Sequence, residues 1–282
     1  ADRVGKGVRT SPRDALISES VKEAKGGRAF GLHRSIDQLG AILGPTLAFM
    51  LIPFIGTRGV FWTSFIPGAI ALVVLAFFVR DRRGPAVASS VFSNASTVLT
   101  RRFSLFLVVM GVFALGAYNF SFVLVKAGAL GVDERTIPLV YATLNVATVV
   151  AGLPSGVLAD RYGRDKILAI GFGIFFAASL ASLRTTEGAL LAFPIAFVYG
   201  CYLGISETLQ RALVPSLVSS ELKGTAYGVY YLVIGSCSLT ANLVFGTLWD
   251  QFSMTVAFTY SLVFSSMAII GMIAWIVLKP RV

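Results

Sequence analysis

Long uninterrupted apolar blocks constrain this chain more than any other feature. One of them, "SLFLVVMGVFALGAYNFSFVLV" (Ser104–Val125), contains no charged residue. A helix of about 20 such residues matches the hydrocarbon thickness of a bilayer. Only 13% of the 282 residues are charged, whereas soluble domains carry about 25%. These features exclude a water-soluble globule and predict an all-α integral membrane protein.

The same criterion predicts eight membrane-spanning helices. They cover roughly 35–55, 59–79, 104–125, 137–158, 167–183, 188–209, 226–248 and 255–278. The two cysteines, Cys201 and Cys237, fall inside apolar spans and indicate neither a disulfide framework nor a metal site. Because no metal-ligand or catalytic spacing is present in the sequence, we expect no cofactor and no enzymatic activity.

The basic residues predict how the chain is oriented in the membrane. When the connecting segments are assigned alternately to two sides, only four of the 24 Lys and Arg residues fall on the second side: Arg58, Lys126, Arg135 and Arg184. Short loops rich in Lys and Arg stay in the cytoplasm. We therefore expect a multi-pass protein of the cytoplasmic membrane with both ends cytoplasmic. The net charge of +10 is then a topology signal and does not indicate nucleic-acid binding.

An internal repeat predicts two related bundles. "RDALISESVKEAKGGRAFG" (Arg13–Gly31) aligns with "RALVPSLVSSELKGTAYG" (Arg211–Gly228) when Asp14 is skipped. On this pattern residues 1–79 are the C-terminal part of a first six-helix bundle, 80–102 are a cytoplasmic linker, and 103–282 are a complete second bundle. About 100 residues with three further spans and most of a fourth would then precede Ala1. A genuine eight-span protein is the alternative.

The most charged stretch among the spans is "GVLADRYGRDK" (Gly156–Lys166). Gly156 forms a small-xxx-small pair with Gly152, which allows two helices to approach closely. Asp160 ends a helix, where its carboxylate can accept hydrogen bonds from the N-terminus of a neighbouring helix. Gly163 allows a tight reversal of the chain.

This stretch resembles the cytoplasmic loop motif G-x-L-A-D-R-x-G-R-K of the major facilitator superfamily, with Asp165 as an extra residue before the last lysine. The resemblance implies two six-helix bundles, twelve helices in all, and a loop that latches one half against the other. The repeat predicts that Asp160 contacts the Gly27–Gly31 segment, with help from Arg28. A solvated turn that only fixes topology is the alternative. The gating residues implied are Gly156, Asp160, Arg161, Gly163, Arg164, Gly27 and Arg28.

Two segments near the N-terminus also carry local patterns. "SPRDALISESVKEAKGG" predicts a short surface helix with Ser11 as N-cap, Pro12 in the first turn and Asp14 in a weak capping box. "GAILGP" resembles the glycine–proline motif in the fifth helix of superfamily antiporters. It predicts close packing at Gly40 and Gly44 and a bend at Pro45. The paired glycines that usually follow are absent here.

Polar residues inside predicted spans are candidates for substrate binding or proton coupling. Glu207 lies four residues before Arg211, so that a structural ion pair and proton coupling are both open interpretations. By the resemblance, the cavity-lining helices also carry Asn119, Tyr118, Tyr199 and Tyr202. Asn145 and Asn242 are expected to bridge helices instead. His33 and Asp37 share a helical face, which is compatible with a pH-sensitive pair, and a satisfied interfacial histidine is the alternative interpretation.

The function implied by the resemblance is secondary active transport of a small solute by alternating access. Protons are the expected coupling ion, with antiport or efflux preferred to symport. The expected partners are the solute and the lipid bilayer, and the full-length protein is expected to be a monomer. The alternatives are a transporter-like membrane sensor or assembly factor without transport activity and, less favoured, a membrane enzyme.

Overall fold

The computed structural model describes residues 2–78 and 97–278, and within these ranges the regular structure is helical with no strand. The all-α prediction is therefore confirmed. Most of the predicted linker, 80–102, lies outside the described residues. The α-helices are α1 (Asp2–Ser20), α2 (Gly26–Phe78), α3 (Arg101–Gly116), α4 (Phe120–Ala129), α5 (Ile137–Tyr162), α6 (Arg164–Arg184), α7 (Ala192–Leu213), α8 (Lys223–Gln251) and α9 (Met254–Val277).

Among the described residues, seven helical stretches are long and apolar enough to cross a bilayer: Arg58–Phe77, Arg101–Ala129, Ile137–Tyr162, Arg164–Arg184, Ala189–Ser216, Ser220–Gln251 and Met254–Val277. They coincide with seven of the eight predicted spans. The remaining predicted span, 35–55, is helical within α2 but is not among the seven. The chain is thus a multi-pass membrane protein.

The N-terminal helix differs from its prediction. α1 begins at Asp2 and runs through Pro12, so Ser11 is not its N-cap. Ser11 Oγ instead donates a hydrogen bond to the carbonyl oxygen of Gly224 at 3.2 Å. Asp14, predicted in a surface capping box, is fully buried. A proline inside a helix removes a backbone hydrogen bond. α1 packs against α8 along this stretch.

A close crossing joins α2 to α5. A Cβ atom added to Gly156 would lie 2.2 Å from the carbonyl oxygen of Gly27, and one added to Gly31 would lie 2.7 Å from that of Gly152. Both distances are far shorter than a van der Waals contact, so only glycine fits at these positions. The small-xxx-small pair predicted for Gly152 and Gly156 is confirmed, with Gly27 and Gly31 as its counterpart on α2.

The glycine–proline segment of α2 does not pack as predicted. Apart from the backbone of α2 itself and the adjoining residues, no described atom lies within 4 Å of a Cβ built on Gly40 or Gly44. The non-helical residue of α2 is Gly56, with a φ of 65°, and the helix continues through Pro45. The reason is that α2 leaves the other described helices after its first turns. Phe54, for example, is 84% exposed.

The span formed by α3 and α4 is broken at 117–119. Backbone groups inside a membrane need hydrogen-bond partners from the protein. At this break, Tyr199 Oη donates to the carbonyl of Tyr118 at 2.6 Å, and Ser261 Oγ donates to that of Gly116 at 2.6 Å. The Asn119 side chain accepts from the N–H of Ser121 at 2.9 Å and caps α4. Side chains of the surrounding helices therefore satisfy the backbone carbonyl groups at this break.

Lys126 is a buried cation near the end of α4 and is only 3% exposed. Its Nζ lies 2.9 Å from Met254 Sδ and 5.9 Å from the ring centroid of Phe258, and it forms no ion pair with a described residue. An unpaired buried charge carries a desolvation cost. We expect Lys126→Met to raise the free energy of unfolding by about 1 kcal/mol or more.

The thermal unfolding midpoint of the full-length protein in detergent measures this effect. Lys166→Met is the matched control, because Lys166 is exposed. A midpoint that falls in Lys126→Met and stays constant in Lys166→Met contradicts the prediction and indicates that the ammonium group is stabilising.

Candidate functional site

A cavity of about 540 Å³ lies between α1 and α2 on one side and the 117–119 break, α4, α5, α7 and α8 on the other. Its volume is within the range of roughly 300–1,000 Å³ typical of small-molecule sites. The six residues predicted for substrate binding or proton coupling all line it: Tyr118, Asn119, Tyr199, Tyr202, Glu207 and Arg211. The structure therefore brings together residues that are up to 93 positions apart in the chain.

Three buried tyrosines form one wall of the cavity. The rings of Tyr118 and Tyr199 lie 5.4 Å apart between centroids, and so do those of Tyr199 and Tyr202. Tyr199 is anchored by its hydrogen bond to the Tyr118 carbonyl, and Ser179 Oγ contacts Tyr118 Oη at 3.3 Å. The Tyr202 hydroxyl has no hydrogen-bond partner among the described residues. The Tyr202 hydroxyl of this wall is thus available to a solute.

Side-chain amides join helices around the cavity. Asn242 Oδ1 accepts from the backbone N–H of Asn119 at 2.8 Å, which connects α8 to the helix break. Gln38 on α2 donates to Asn145 on α5. The prediction that Asn145 and Asn242 bridge helices is confirmed. The side-chain oxygen of Asn119 already accepts two hydrogen bonds from Ser121 in capping α4, so this oxygen is not free to bind a substrate.

Ion pairs cross one end of the cavity. Glu207 Oε2 lies 3.4 Å from Arg211 Nη2, which is the predicted i,i+4 pair. The same oxygen lies 3.1 Å from Arg34 Nη1 on α2. Arg34 Nη1 in turn lies 3.3 Å from Asp37 Oδ2. The ion-pair partner of Asp37 is therefore Arg34, whereas the sequence suggested His33. Glu207 therefore connects α7 to α2 as well as to its own helix.

Asp14 extends this network into the protein interior and was missed as a functional candidate. Its Oδ1 lies 2.9 Å from Arg13 Nε and its Oδ2 lies 3.7 Å from Arg211 Nε. It also accepts a hydrogen bond from Tyr231 Oη on α8. One signal was available in the sequence: the repeat pairs Arg13 with Arg211 and skips Asp14, so this acid has no counterpart in the second copy.

At the same end of the molecule, Asp160 contacts the N-terminus of α2. Its Oδ1 accepts from the N–H of Gly27 at 2.9 Å and its Oδ2 accepts from the N–H of Arg28 at 2.8 Å. The orphan N–H groups and the dipole of a helix N-terminus favour a carboxylate there. The contact predicted for Asp160 is present. We call Asp160, Arg164, Gly27 and Arg28 the latch, and this end of the molecule the latch end.

Arg164 supports the latch from α6. Its Nε and Nη2 each lie 3.3 Å from Asp160 Oδ1, and its Nη1 donates to the carbonyl oxygen of Ala212 at 3.0 Å. Gly163, with a φ of 106°, makes the reversal between α5 and α6 that brings Arg164 back to Asp160. This φ lies in the region that favours glycine.

Two of the predicted gating residues, Arg28 and Arg161, do not hold Asp160 with their side chains. The side chain of Arg28 is exposed, and its backbone N–H makes the contact with Asp160. Arg161 is exposed and lies over the ring of Tyr162, with 5.3 Å between the guanidinium carbon and the ring centroid. The guanidinium that holds Asp160 is therefore that of Arg164.

Sequence comparisons relate the chain to transporters. It is 32% identical over 269 residues to an uncharacterized MFS-type transporter of Methanocaldococcus jannaschii, covering 92% of this chain and 66% of the relative. An uncharacterized protein of Mycobacterium tuberculosis is 30% identical over 265 residues, with coverage of 89% and 63%. The multidrug resistance protein MdtG of Proteus mirabilis is 24% identical over 208 residues, with coverage of 70% and 52%. The chain thus spans about two thirds or less of the length of these relatives.

The family comparison covers almost the whole chain. The model of the Major Facilitator Superfamily matches residues 3–242 and 105–282. These matches include the latch, the ion-pair network and the residues that line the cavity. Together with the apolar helices, they establish that the chain belongs to the Major Facilitator Superfamily.

Proposed function

We propose that the whole protein is a secondary transporter that moves a small solute across the cytoplasmic membrane by alternating access. The observation that carries this proposal is the cavity, whose wall is built jointly by α2 and by helices of the C-terminal part of the chain. A cavity shared between two parts of a membrane protein can be opened to either side when one part rocks against the other.

The contacts between α1–α2 and the other helices support this mechanism, because they gather toward the latch end. They run from Asp160 on Gly27, through Arg34 on Glu207, to Gln38 on Asn145. From Leu43 onward, most side chains of α2 whose burial the structure describes are exposed. With the latch end on the cytoplasmic side, as the basic residues predict, this conformation is closed toward the cytoplasm.

We further propose that Glu207 couples transport to protons in an export reaction. Its carboxylate holds Arg34 and Arg211 together across the cavity end, and its side chain is 34% exposed. Protonation removes the negative charge and weakens both pairs, which favours opening of the latch end. The likeness to a multidrug resistance protein supports the direction of export.

Solute flux in proteoliposomes that contain the full-length protein tests the proposal. We expect flux driven by a pH gradient, and we expect Glu207→Gln to reduce it about 100-fold or more, because the coupling proton then has no site. Glu187→Gln is the matched control, since Glu187 is exposed and lies outside the cavity. Equal flux in wild type and Glu207→Gln contradicts the coupling role. Absence of flux under every ion gradient favours a sensor or assembly factor.

A further inference from the structure

We propose that the cavity takes a cationic amine with an apolar or aromatic body, and that Glu207 is the acceptor for its ammonium group. This inference rests on the proposed transport function, since it names the class of solute for the same cavity. The inference rests on three observations. These are the exposure of the charged groups at the cavity end, one unpaired oxygen of the Glu207 carboxylate, and the aromatic wall.

At the cavity end, the carboxylates of Glu207 and Asp37 are more exposed than the guanidinium groups of Arg34 and Arg211. The side chains of Glu207 and Asp37 are 34% and 58% exposed, whereas those of Arg34 and Arg211 are 13% and 17% exposed. Arg13 is 32% exposed, but its Nε is paired with Asp14 at 2.9 Å. Asp37 and Glu207 are therefore the most exposed charged side chains that line the cavity, with Arg13 slightly behind them. Exposed carboxylates in a cavity favour the binding of a cation.

Glu207 also has binding capacity left. Both of its ion pairs, with Arg34 and with Arg211, use the same oxygen, Oε2. Its Oε1 has no partner among the described residues. A carboxylate oxygen accepts more than one hydrogen bond, and an ammonium group has up to three to donate. An amine can thus bind Oε1 without displacing either guanidinium.

The remaining wall suits the body of such a solute. Tyr118, Tyr199 and Tyr202 line the cavity, as do Phe120 and Tyr141, whose ring centroids lie 5.4 Å apart. Aromatic faces attract cations and also pack against apolar groups. The side-chain oxygens of Asn145 and Asn242 are engaged between helices, and the Tyr202 hydroxyl offers a further polar contact.

This placement gives a physical basis for exchange. A proton on Glu207 removes the negative charge that holds the ammonium group. The proton and the ammonium group therefore compete for one carboxylate. Competition at one site is sufficient to couple their movements in opposite directions when the cavity opens alternately to the two sides.

Calorimetric titration of the full-length protein with three matched probes tests the inference. The probes are 4-phenylbutylamine, 4-phenylbutanol and 4-phenylbutyrate, which share one body and differ in the charge of the head group. At neutral pH we expect the amine to bind about tenfold or more tightly than the alcohol, because it forms a charge-assisted hydrogen bond. We expect the butyrate to bind most weakly.

Glu207→Gln should abolish the preference for the amine, and Glu187→Gln should keep it. If Glu207→Gln does not fold, Asp37→Asn carries the test, because Asp37 is exposed and its removal leaves both Glu207 pairs in place. We then expect about a threefold or larger loss of amine affinity and no change for the alcohol. Equal binding of amine and alcohol in the wild type, tightest binding of the butyrate, an amine preference that survives Glu207→Gln, or an unchanged amine affinity in Asp37→Asn overturns the inference.

The same probes separate this inference from the transport proposal. Amine binding that depends on Glu207, without amine flux in proteoliposomes, supports the binding site and contradicts transport. Flux of other solutes with no preference for the amine supports transport and overturns the assignment of the solute class.

Discussion

Asp160→Asn is expected to lower the population of the latch-closed conformation about tenfold or more. The carboxylate accepts one backbone N–H on each oxygen, at 2.9 and 2.8 Å, and also faces Arg164. An amide keeps only one of these acceptors and loses the charge. Hydrogen bonds to charged groups contribute about 1.5–3 kcal/mol, and 1.4 kcal/mol is a factor of ten in population.

The distance between spin labels at positions 22 and 166 measures this population. Lys22 lies beside the start of α2 and Lys166 follows the latch in α6, and both are exposed. The native Cys201 and Cys237 are replaced by serine in this background. Asp250→Asn is the matched control, because Asp250 is exposed at the end of α8. A distance distribution that is the same in Asp160→Asn and wild type would show that the contact does not hold the latch end closed.

A bulky substitution at the α2–α5 crossing tests the closure of the latch end in a second way. Gly156→Leu places a side chain where even a Cβ would lie 2.2 Å from the Gly27 carbonyl oxygen. We expect the short-distance population to be lost in this variant as well. A helix crossing that persists in Gly156→Leu contradicts the close approach of α2 and α5.

Asp14→Ala is expected to destabilise the folded protein by about 3–5 kcal/mol, the usual cost of breaking a buried ion pair from one side. Asp14 is 0% exposed and sits between Arg13 and Arg211. Its removal leaves Arg211 with Glu207 as its ion-pair partner among the described residues, and leaves the Tyr231 hydroxyl without its acceptor.

The fraction of folded protein and the thermal midpoint in detergent report this loss. Glu19→Ala serves as the control, because Glu19 is exposed on the same helix. In a double-mutant cycle, Asp14→Ala and Tyr231→Phe should be non-additive, since both remove the same hydrogen bond. Additive losses would mean that the two residues act independently and that the buried contact contributes little.

The latch and the ion-pair network use different kinds of recognition. Asp160 binds backbone N–H groups, which every residue except proline provides, so its partner is set by where a helix begins. Glu207 and Asp14 bind guanidinium groups, so their partners depend on particular side chains at particular positions. The first kind of contact is visible in a motif and a repeat, and the second is visible only where the partner lies on the same helix.

The sequence alone determined the features that depend on local pattern. Apolar length predicted seven of the spans found here, and the spacing of Gly152 and Gly156 predicted a close crossing. The repeat placed Asp160 opposite the Gly27–Gly31 segment, and the i,i+4 spacing predicted the pair of Glu207 with Arg211. Each of these follows from the period of a helix or from one alignment of the chain with itself.

Only the tertiary structure decided which helix faces meet. Asp14 and Tyr231 are 217 positions apart, and no local pattern shows that their helices touch. Arg34 joins Glu207 in the same way, from a helix distant in sequence. Gly40 and Gly44 look like packing positions but face no described neighbour. Helical periodicity determines which residues share a face, whereas the crossing of distant helices determines what that face meets, and this crossing depends on the whole packed bundle.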